Sequence, residues 1–267
     1  MAALIYINIF ILGLIFGSLL NTIIYRLRTE EDFVSGRSAC PSCGHSLSWD
    51  DLIPVFSFLI LEGKCRYCKK SISWQYPLVE LATGILFLAV FSQNVDLIFD
   101  FSFFGTFKIA YLFFAISCLV VIFVYDLKHY LIPNKVIYSL IGGTALWHLI
   151  SSLFFQTYNL AELLGFVVAG FYSAAFFWVV HVMTRGKGMG MGDVKLGFFM
   201  GLFLGYPLIL MALFLSFLIG SIVGLGLIVF GHKKFKSEIP LGPFLVSGTF
   251  LVMLFGQWLL DLNLFGF

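Results

Sequence analysis

The chain has 267 residues, of which 60% are hydrophobic and only 11% are charged, and its mean hydropathy is +1.01. Soluble domains carry about 25% charged residues, so this composition excludes an ordinary soluble protein and predicts an all-α polytopic membrane protein. The formal net charge of +2 is too small to indicate a nucleic-acid partner, and we expect none.

The first predicted membrane span runs from about Leu4 to Tyr25, which is long enough to cross a hydrocarbon core of about 30 Å. Its start lacks basic residues, so we interpret it as a permanent span rather than a cleavable signal peptide. Arg26 and Arg28 follow directly. Because cytoplasmic loops are enriched in Lys and Arg, these arginines predict that this end of the span is cytoplasmic.

A polar segment, residues 26–76, contains two C-x2-C pairs separated by residues 44–64, a gap just beyond the usual zinc spacing. Two residues between thiolates allow each pair to bind one tetrahedral ion, so we predict a closed, structural zinc module. The alternatives are two disulfides or simply reduced cysteines, and a cytoplasmic location argues against disulfides. The predicted zinc ligands are Cys40, Cys43, Cys65 and Cys68.

Other features of this segment have simpler interpretations. We interpret His45 as a surface residue rather than a competing metal ligand, and Cys118, in a later span, as a packing residue. Gly44 and Gly63 suit tight turns beside the cysteine pairs. The apolar run 52–61 is too short to cross a membrane and is predicted to lie at the interface or in a core.

Seven further spans are predicted, which gives about eight in all and divides the chain into residues 1–25, 26–76 and 77–267. The sixth predicted span is short and rich in glycine, so it is either a tilted helix or a re-entrant segment packed against protein. The predicted spans are Pro77–Phe91, Ile109–Tyr125, Lys135–Phe155, Ala161–Met183, Val194–Tyr206, Leu208–Phe230 and Phe244–Leu260.

The basic residues support this topology. With the first span running inward, 15 of the 16 Lys and Arg residues fall on inner segments, and only Lys108 falls outside. The same topology predicts that both termini are outside. It also brings Asp126, at the inner end of the third span, level with Asp193, at the inner start of the sixth.

Asp126 and Asp193 are the candidate catalytic residues, because an acid entering a bilayer is costly and indicates a functional site. Two carboxylates in a confined site share one proton, so one can activate water while the other donates a proton. This is aspartic protease chemistry without a metal in the active site, and the proton belongs to the pair rather than to either residue. The alternative is that each acid caps a helix or pairs locally, with Lys128 or Lys195. A two-residue spacing does not place such a pair side by side on a helix.

Gly190 and Gly192 precede Asp193 and form the predicted active-site loop. Without a Cβ they permit close backbone packing and positive φ, so another element or an extended peptide could lie against the turn. Glu80, just inside the second span, is a weaker secondary candidate that we expect to pair with a base of the cysteine segment.

The motif GMGD at Gly190–Asp193 resembles the GxGD signature of intramembrane aspartyl proteases. The ordered set of motifs along nearly the whole chain resembles the type IV prepilin peptidases, and the doubled cysteine pair makes the set highly specific. The matching segments are GSLLNTIIYRLR at 17–28, CPSCGHSLSWDDLIPVFSFL at 40–59, GKCRYCKKSISWQYPLVE at 63–80, YDLKHYLIPN at 125–134, GMGMGDVKL at 188–196 and IPLGPFL at 239–245.

This resemblance implies an enzyme at the cytoplasmic membrane face of a bacterium that cuts a basic leader from prepilins or pseudopilins after a glycine. It implies that Asp126 and Asp193 are the catalytic pair and that the four cysteines bind zinc. Family members with this cysteine module commonly also methylate the new amino terminus, often a phenylalanine, with S-adenosylmethionine. No glycine-rich nucleotide fingerprint is present, so we assign no residues to that cofactor. The acids Glu30, Glu31 and Asp32 are predicted to attract the basic leader.

Two other functions remain open from the sequence. An intramembrane protease of ordinary membrane helices would share both acids, but nothing in its chemistry requires the cysteine module. A proton-coupled transporter would use the acids as relay groups, but such acids usually lie near the bilayer midplane. The particular pilins and the oligomeric state are not predicted.

Overall fold

The structure, a computed structural model, describes residues 2–29, 38–96, 103–186, 188–231 and 239–261. The predicted acidic attractor Glu30, Glu31 and Asp32 therefore lies outside the described residues. Within the described ranges there are two isolated β-bridges and no strands, which confirms the all-α prediction. The helices are α1 (Ala2–Thr29), α2 (Phe56–Ile60), α3 (Gln75–Gln93), α4 (Phe103–His129), α5 (Asn134–Phe155), α6 (Leu160–Met183), α7 (Met191–Leu204), α8 (Leu208–Val229) and α9 (Gly242–Asp261).

Seven of these helices are long and apolar enough to cross a membrane, namely all except α2 and α7. They confirm a multi-pass membrane protein. The sixth predicted span corresponds to α7, whose 14 residues extend about 21 Å at 1.5 Å per residue. This is shorter than a hydrocarbon core of about 30 Å. The eight predicted spans are therefore seven long helices and one short helix.

The described chain forms two compact units, Met1–Val121 and Ile122–Phe267. In the first unit, α3 packs along α1 at two glycines. A Cβ added to Gly13 would lie 2.6 Å from the Cα of Gly84, and one added to Gly17 would lie 2.5 Å from the Cα of Glu80. Only glycine permits such close helix contact, which is the usual way that membrane helices associate.

Glu80 also joins α3 to the cysteine segment, but not through a base as predicted. Its Oε2 accepts the backbone N–H of Val55 at 2.7 Å. Val55 has φ 63° and ψ −48°, a conformation that a β-branched residue rarely adopts. This turn directs the N–H of Val55 toward the buried carboxylate of Glu80. The partner of Glu80 is therefore a backbone donor and not the predicted basic side chain.

In the second unit, α7 is the central helix. Leu196, Phe199 and Met200 on this helix are completely buried. A Cβ added to Gly201 would overlap the backbone carbonyl of Ala169 on α6, so these two helices are in backbone contact. Residues 191–204 are thus surrounded by protein, as expected for a short segment that cannot leave its ends in lipid.

Candidate active site and metal centre

Asp126 lies near the end of α4, where its side chain is buried, and the residue is 5% exposed. Its Oδ2 accepts the backbone N–H of Gly242, the first residue of α9, at 3.0 Å. The positive end of a helix therefore meets a buried carboxylate, which favours negative charge at this position. A Cβ added to Gly242 would lie 2.5 Å from that same oxygen. Sequence analysis did not identify Gly242 as a site residue.

Asp193 is the third residue of α7 and is half-buried. Its Oδ2 accepts the backbone N–H of Gly190, the residue before the helix, at 2.9 Å. A carboxylate at this helix position commonly satisfies an N–H that has no partner within the helix. Asp193 therefore does cap its own helix, as the alternative interpretation proposes. Capping alone does not account for the position of Asp193 near Asp126.

The two acids lie close enough for their charges to interact, although they are 67 positions apart in sequence. The loop after α4 contacts the start of α7, since a Cβ added to Gly192 would lie 2.9 Å from the Cβ of Ile132. The structure therefore brings together the two acids that the topology placed at one membrane face. Ile132, which the sequence did not single out, packs against this junction.

Neither acid belongs to an ion pair among the described residues, where all the ion pairs found lie in the cysteine segment. Lys195 donates instead to Oδ1 of Asn134 at 2.7 Å and lies 4.8 Å from the ring centroid of Tyr138. The doubt about local pairing between Asp193 and Lys195 is therefore supported.

The loop glycines act differently from the prediction of positive φ. Gly190 has φ −79° and ψ 156°, and Gly192 is helical. Among the described residues of this loop, the left-handed ones are Arg185, with φ 52°, and Gly186, with φ 74°. Close packing is what Gly192 provides, because Ile132 leaves no room for a side chain there. His181 holds the loop by donating from Nδ1 to the carbonyl of Met189 at 2.7 Å.

The four predicted metal ligands converge in the first unit, where their Sγ atoms all lie within 4.8 Å of one another. The Sγ atoms of Cys40 and Cys68 are 4.0 Å apart. Around a tetrahedral ion with Zn–S bonds of about 2.3 Å, sulfur atoms lie about 3.8 Å apart, so this group fits such an ion. All five cysteines are free thiols, which excludes the disulfide alternative in this structure.

The two cysteine pairs have the same backbone design. The N–H of Cys40 donates to the carbonyl of His45 at 3.0 Å, and that of Cys65 donates to the carbonyl of Lys70 at 2.8 Å. The residue after each second cysteine is left-handed, with φ 70° at Gly44 and 60° at Lys69. The module is therefore a structural repeat, which the differing side chains conceal in the sequence.

Hydrogen bonds favour a thiolate at Cys65. The backbone N–H groups of Cys68 and Tyr67 lower the pKa of Cys65 to about 7. At Cys43 the backbone N–H of His45 lowers the pKa, but burial and the neighbouring thiols outweigh it and raise that pKa to about 11. Metals bind the thiolate, so the environment of Cys65 suits metal binding. The side chain of His45 is not part of the group of four thiols and is exposed, as predicted. Its ring is tilted by 36° against that of Tyr67, with centroids 3.7 Å apart. Arg66 binds Asp50 and Asp51 of the segment between the pairs, at 3.0 and 2.6 Å.

Two family models match the chain. One, described as the bacterial peptidase A24 N-terminal domain, matches residues 11–94, which include the cysteine module. The other, described as the type IV leader peptidase family, matches residues 113–225, which include both acids. No solved structure matches the chain.

Similar proteins in three bacteria are named prepilin leader peptidase/N-methyltransferase. The Bacillus subtilis protein is 34% identical, and the match covers 93% of this chain and 94% of that protein. The Pseudomonas aeruginosa protein is 31% identical over 92% of this chain and 89% of that protein. The Aeromonas salmonicida protein is 30% identical over 93% of this chain and 90% of that protein.

Proposed function

Because the chain belongs to the type IV leader peptidase family, we propose that Asp126 and Asp193 are the catalytic pair of an inner-membrane prepilin peptidase. Family membership confirms the resemblance deduced from the ordered motifs. The enzyme removes the leader of a prepilin and methylates the new amino terminus. Neither a protease of unrelated membrane helices nor a transporter is favoured by the relatives.

The observation that carries the catalytic assignment is the meeting of Asp126 and Asp193 in the second unit, each held by a backbone N–H. In the proposed reaction, the ionised carboxylate takes a proton from water, and the water oxygen attacks the carbonyl carbon of the leader's last residue. The protonated carboxyl donates to the leaving nitrogen. The C–N bond breaks, which gives a leader carboxylate and a free pilin amine.

The backbone donors give each carboxylate a fixed orientation. Gly242 and Gly190 each bind one Oδ2, and neither N–H needs to move during the reaction. Asp126 is buried whereas Asp193 is partly exposed, so we propose that water and the substrate reach the pair from the side of Asp193. The proton stays a property of the pair, and we assign neither residue as the base.

We propose that the pair and the cysteine module face the cytoplasm, as the distribution of 15 of 16 basic residues predicts. The module holds a structural zinc ion on Cys40, Cys43, Cys65 and Cys68, a closed ligand set that suits folding rather than catalysis. The substrates are prepilins or pseudopilins, whose leader would meet both acids where its apolar helix enters the bilayer.

S-adenosylmethionine is the proposed methyl donor. In the described part of the first unit, the one buried side-chain acceptor without a partner is Oε1 of Gln75. A single acceptor does not fit a nucleoside joined to an amino acid and a sulfonium, so no step is derived through the cofactor. The methyl transfer rests on the family alone.

The test is cleavage of a purified prepilin by the wild type, Asp126→Asn and Asp193→Asn, with products weighed by mass spectrometry. Asparagine keeps the size but loses the proton, so we expect each variant to lose at least about 10³-fold in rate. Asp261→Asn, at the exposed end of α9, is the matched control and should cut normally.

Methylation of a pilin that has already been cut provides a second readout in the same samples. Both dyad variants should still add one methyl group, which would show that they are folded. Cleavage near the wild-type rate by either variant would show that the dyad assignment is wrong. Replacing Glu30, Glu31 and Asp32 with neutral residues tests the separate prediction of leader attraction, which should weaken cleavage mainly at low salt.

A further inference from the structure

The short helix α2 of the cysteine module turns an apolar side outward. Phe56, Leu59 and Ile60 are all exposed, with residue exposures of 61% for Leu59 and 76% for Ile60. Residues three and four apart lie on the same side of a helix, so these three side chains form one stripe. Phe58, on the other side of α2, is buried and packs against Trp74 with ring centroids 5.0 Å apart.

The stripe continues before the first residue of the helix. The backbone N–H of Ser57 donates to the carbonyl of Ile53 at 3.0 Å, which adds one helical turn ahead of Phe56. Ile53 is exposed as well, and it lies three positions before Phe56 on the same side. Single exposed apolar residues are ordinary, whereas a contiguous group marks an interaction surface. We call this group the exposed face of α2, and its members are Ile53, Phe56, Leu59 and Ile60.

A hydrogen bond sets the level of α2 along the membrane-spanning helix α3. The N–H of Val55, the residue before α2, donates to the carboxylate of Glu80 at 2.7 Å. Glu80 is the sixth residue of α3, about 7.5 Å along the helix axis from Gln75. The 19 residues of α3 extend about 29 Å, against about 30 Å for a hydrocarbon core. Because α3 needs its full length to cross, α2 begins at the level where α3 enters the bilayer rather than in the water beyond it.

Exposed apolar residues of α3 lie at this same level. Leu78 and Leu81, two positions before and one position after Glu80, are both exposed. Such residues on a membrane-spanning helix face lipid. Trp74, the residue before α3, is exposed too, and tryptophan is enriched where a membrane meets water. The exposed face of α2 is therefore level with a surface that lipid already covers.

The charges of the module also suit a lipid surface. Lys69 and Lys70 are exposed, and neither belongs to an ion pair among the described residues. The acids Asp50 and Asp51 are both bound by Arg66. Segments that lie in a membrane interface combine an apolar face with basic residues, which bind anionic headgroups. This combination favours a bilayer over an apolar groove of another protein as the partner.

We propose that α2 is an interfacial anchor, whose exposed face is inserted among the acyl chains of the leaflet in which α3 begins. Segments of this kind bury their apolar face about 5–10 Å into the boundary between headgroups and acyl chains. The anchor holds the cysteine module against the membrane surface. This role goes beyond the proposed function, and it does not depend on the assignment of the catalytic pair.

The test measures the surroundings of position 60 in full-length protein held in nanodiscs of phosphatidylcholine and phosphatidylglycerol. Ile60 is replaced by a ketone-bearing amino acid that carries a spin label, because thiol reagents would attack the cysteine module. Collisions with oxygen, which concentrates in lipid, are compared with collisions with a water-soluble nickel chelate. The same label at Ile85, exposed on α3, is the lipid reference, and at Ser42, exposed between the first two cysteines, it is the control within the module.

We expect the ratio of oxygen collisions to chelate collisions at position 60 to approach the ratio at Ile85. It should exceed the ratio at Ser42 by at least about fivefold, because a polar chelate is excluded from acyl chains. A ratio at position 60 equal to that at Ser42 would overturn the inference, since the exposed face would then lie in water. Few collisions with either reagent would overturn it as well, because protein rather than lipid would cover the face.

Crosslinking at a neighbouring position gives an independent measurement. Leu59 is replaced by benzoylphenylalanine, and the protein is irradiated in the same nanodiscs without any substrate. A gain of one phospholipid mass on the intact chain supports the anchor. Crosslinks confined to other segments of the chain contradict it. Neither result bears on prepilin cleavage, so the anchor and the proposed function can fail separately.

Discussion

The cysteine module and the acid site each hold a few reactive side-chain atoms in a fixed arrangement, but the two regions are built differently. The module takes its four thiols from residues 40–68 and repeats one backbone turn twice. The acid site takes its parts from residues 126, 190–193 and 242, and uses backbone N–H groups and glycines to hold them. A metal site therefore depends on local spacing, whereas this acid site depends on helix packing.

The largest expected effect concerns the zinc ion that we propose for the cysteine module. In small metal-binding domains the ion supplies most of the folding free energy, so a zinc chelator should unfold residues 38–74. Hydrogen exchange followed by mass spectrometry should show loss of protection there, while α7 and α9 stay protected. If the module remains protected after the metal has been removed, side-chain packing rather than the ion holds it.

The acid site should instead fail when one methyl group is added. In Gly242→Ala the new Cβ would lie 2.5 Å from Oδ2 of Asp126 and would displace the carboxylate. A misplacement of about 1 Å can cost about 10²-fold in rate, which we expect in prepilin cleavage. Gly226→Ala, where nothing lies within 4 Å, is the control. Equal rates for the two variants would show that the contact with Gly242 is unimportant.

Helix packing in the second unit should show an intermediate effect on stability. Gly201→Ala puts a methyl group against the carbonyl of Ala169, and such overpacking typically costs about 1–3 kcal/mol. Gly165→Ala, on α6 with open space around it, should be neutral or slightly stabilising because alanine favours helix. Thermal unfolding in detergent would compare them. A melting temperature for Gly201→Ala at or above that of Gly165→Ala would contradict the packing described.

The smallest effect should come from the ion pairs of the module. Arg66 is exposed, so Arg66→Ala should lower the melting temperature by no more than about 2 °C, and Lys70→Ala should not change it. If Arg66→Ala lowered the melting temperature more than metal removal does, the ion pairs and not the metal would be the main source of the module's stability.

This small contribution should also depend on pH. Burial raises the pKa of Asp51, but hydrogen bonds from Ser48 and Arg66 more than offset it, so the pKa is lowered. A lowered pKa means that the stabilisation is present at neutral pH and is lost as pH falls through the folded-state value. The difference between the wild type and Arg66→Ala should therefore shrink in acid.

More of the cysteine module than of the acid site can be predicted from the sequence. The cysteines and the two acids were found because their spacing and membrane position are unusual. Gly242 lies in the matching segment at 239–245, but the sequence predicts no role for it, because a backbone N–H leaves no mark in side-chain chemistry and its partner is 116 positions away. The predicted positive φ at Gly190 and Gly192 is wrong. Gly192 instead leaves space for Ile132, a contact between distant segments that only the packed structure shows. The sixth span is predicted to begin at Val194, whereas α7 begins at Met191, because the carboxylate of Asp193 accepts the N–H of Gly190 and stabilises the first turn of the helix.

The burial of α7 has a consequence for how the protein is made. A segment of 14 residues is too short for the insertion machinery to recognise as an independent span. Leu196, Phe199 and Met200 find their apolar surroundings only when the neighbouring helices are present. We expect α7 to enter the bilayer together with α6 and α8, after the longer helices have been inserted. Asp193 would then reach Asp126 only at the last step of biogenesis, so a partly assembled chain would have no proteolytic activity.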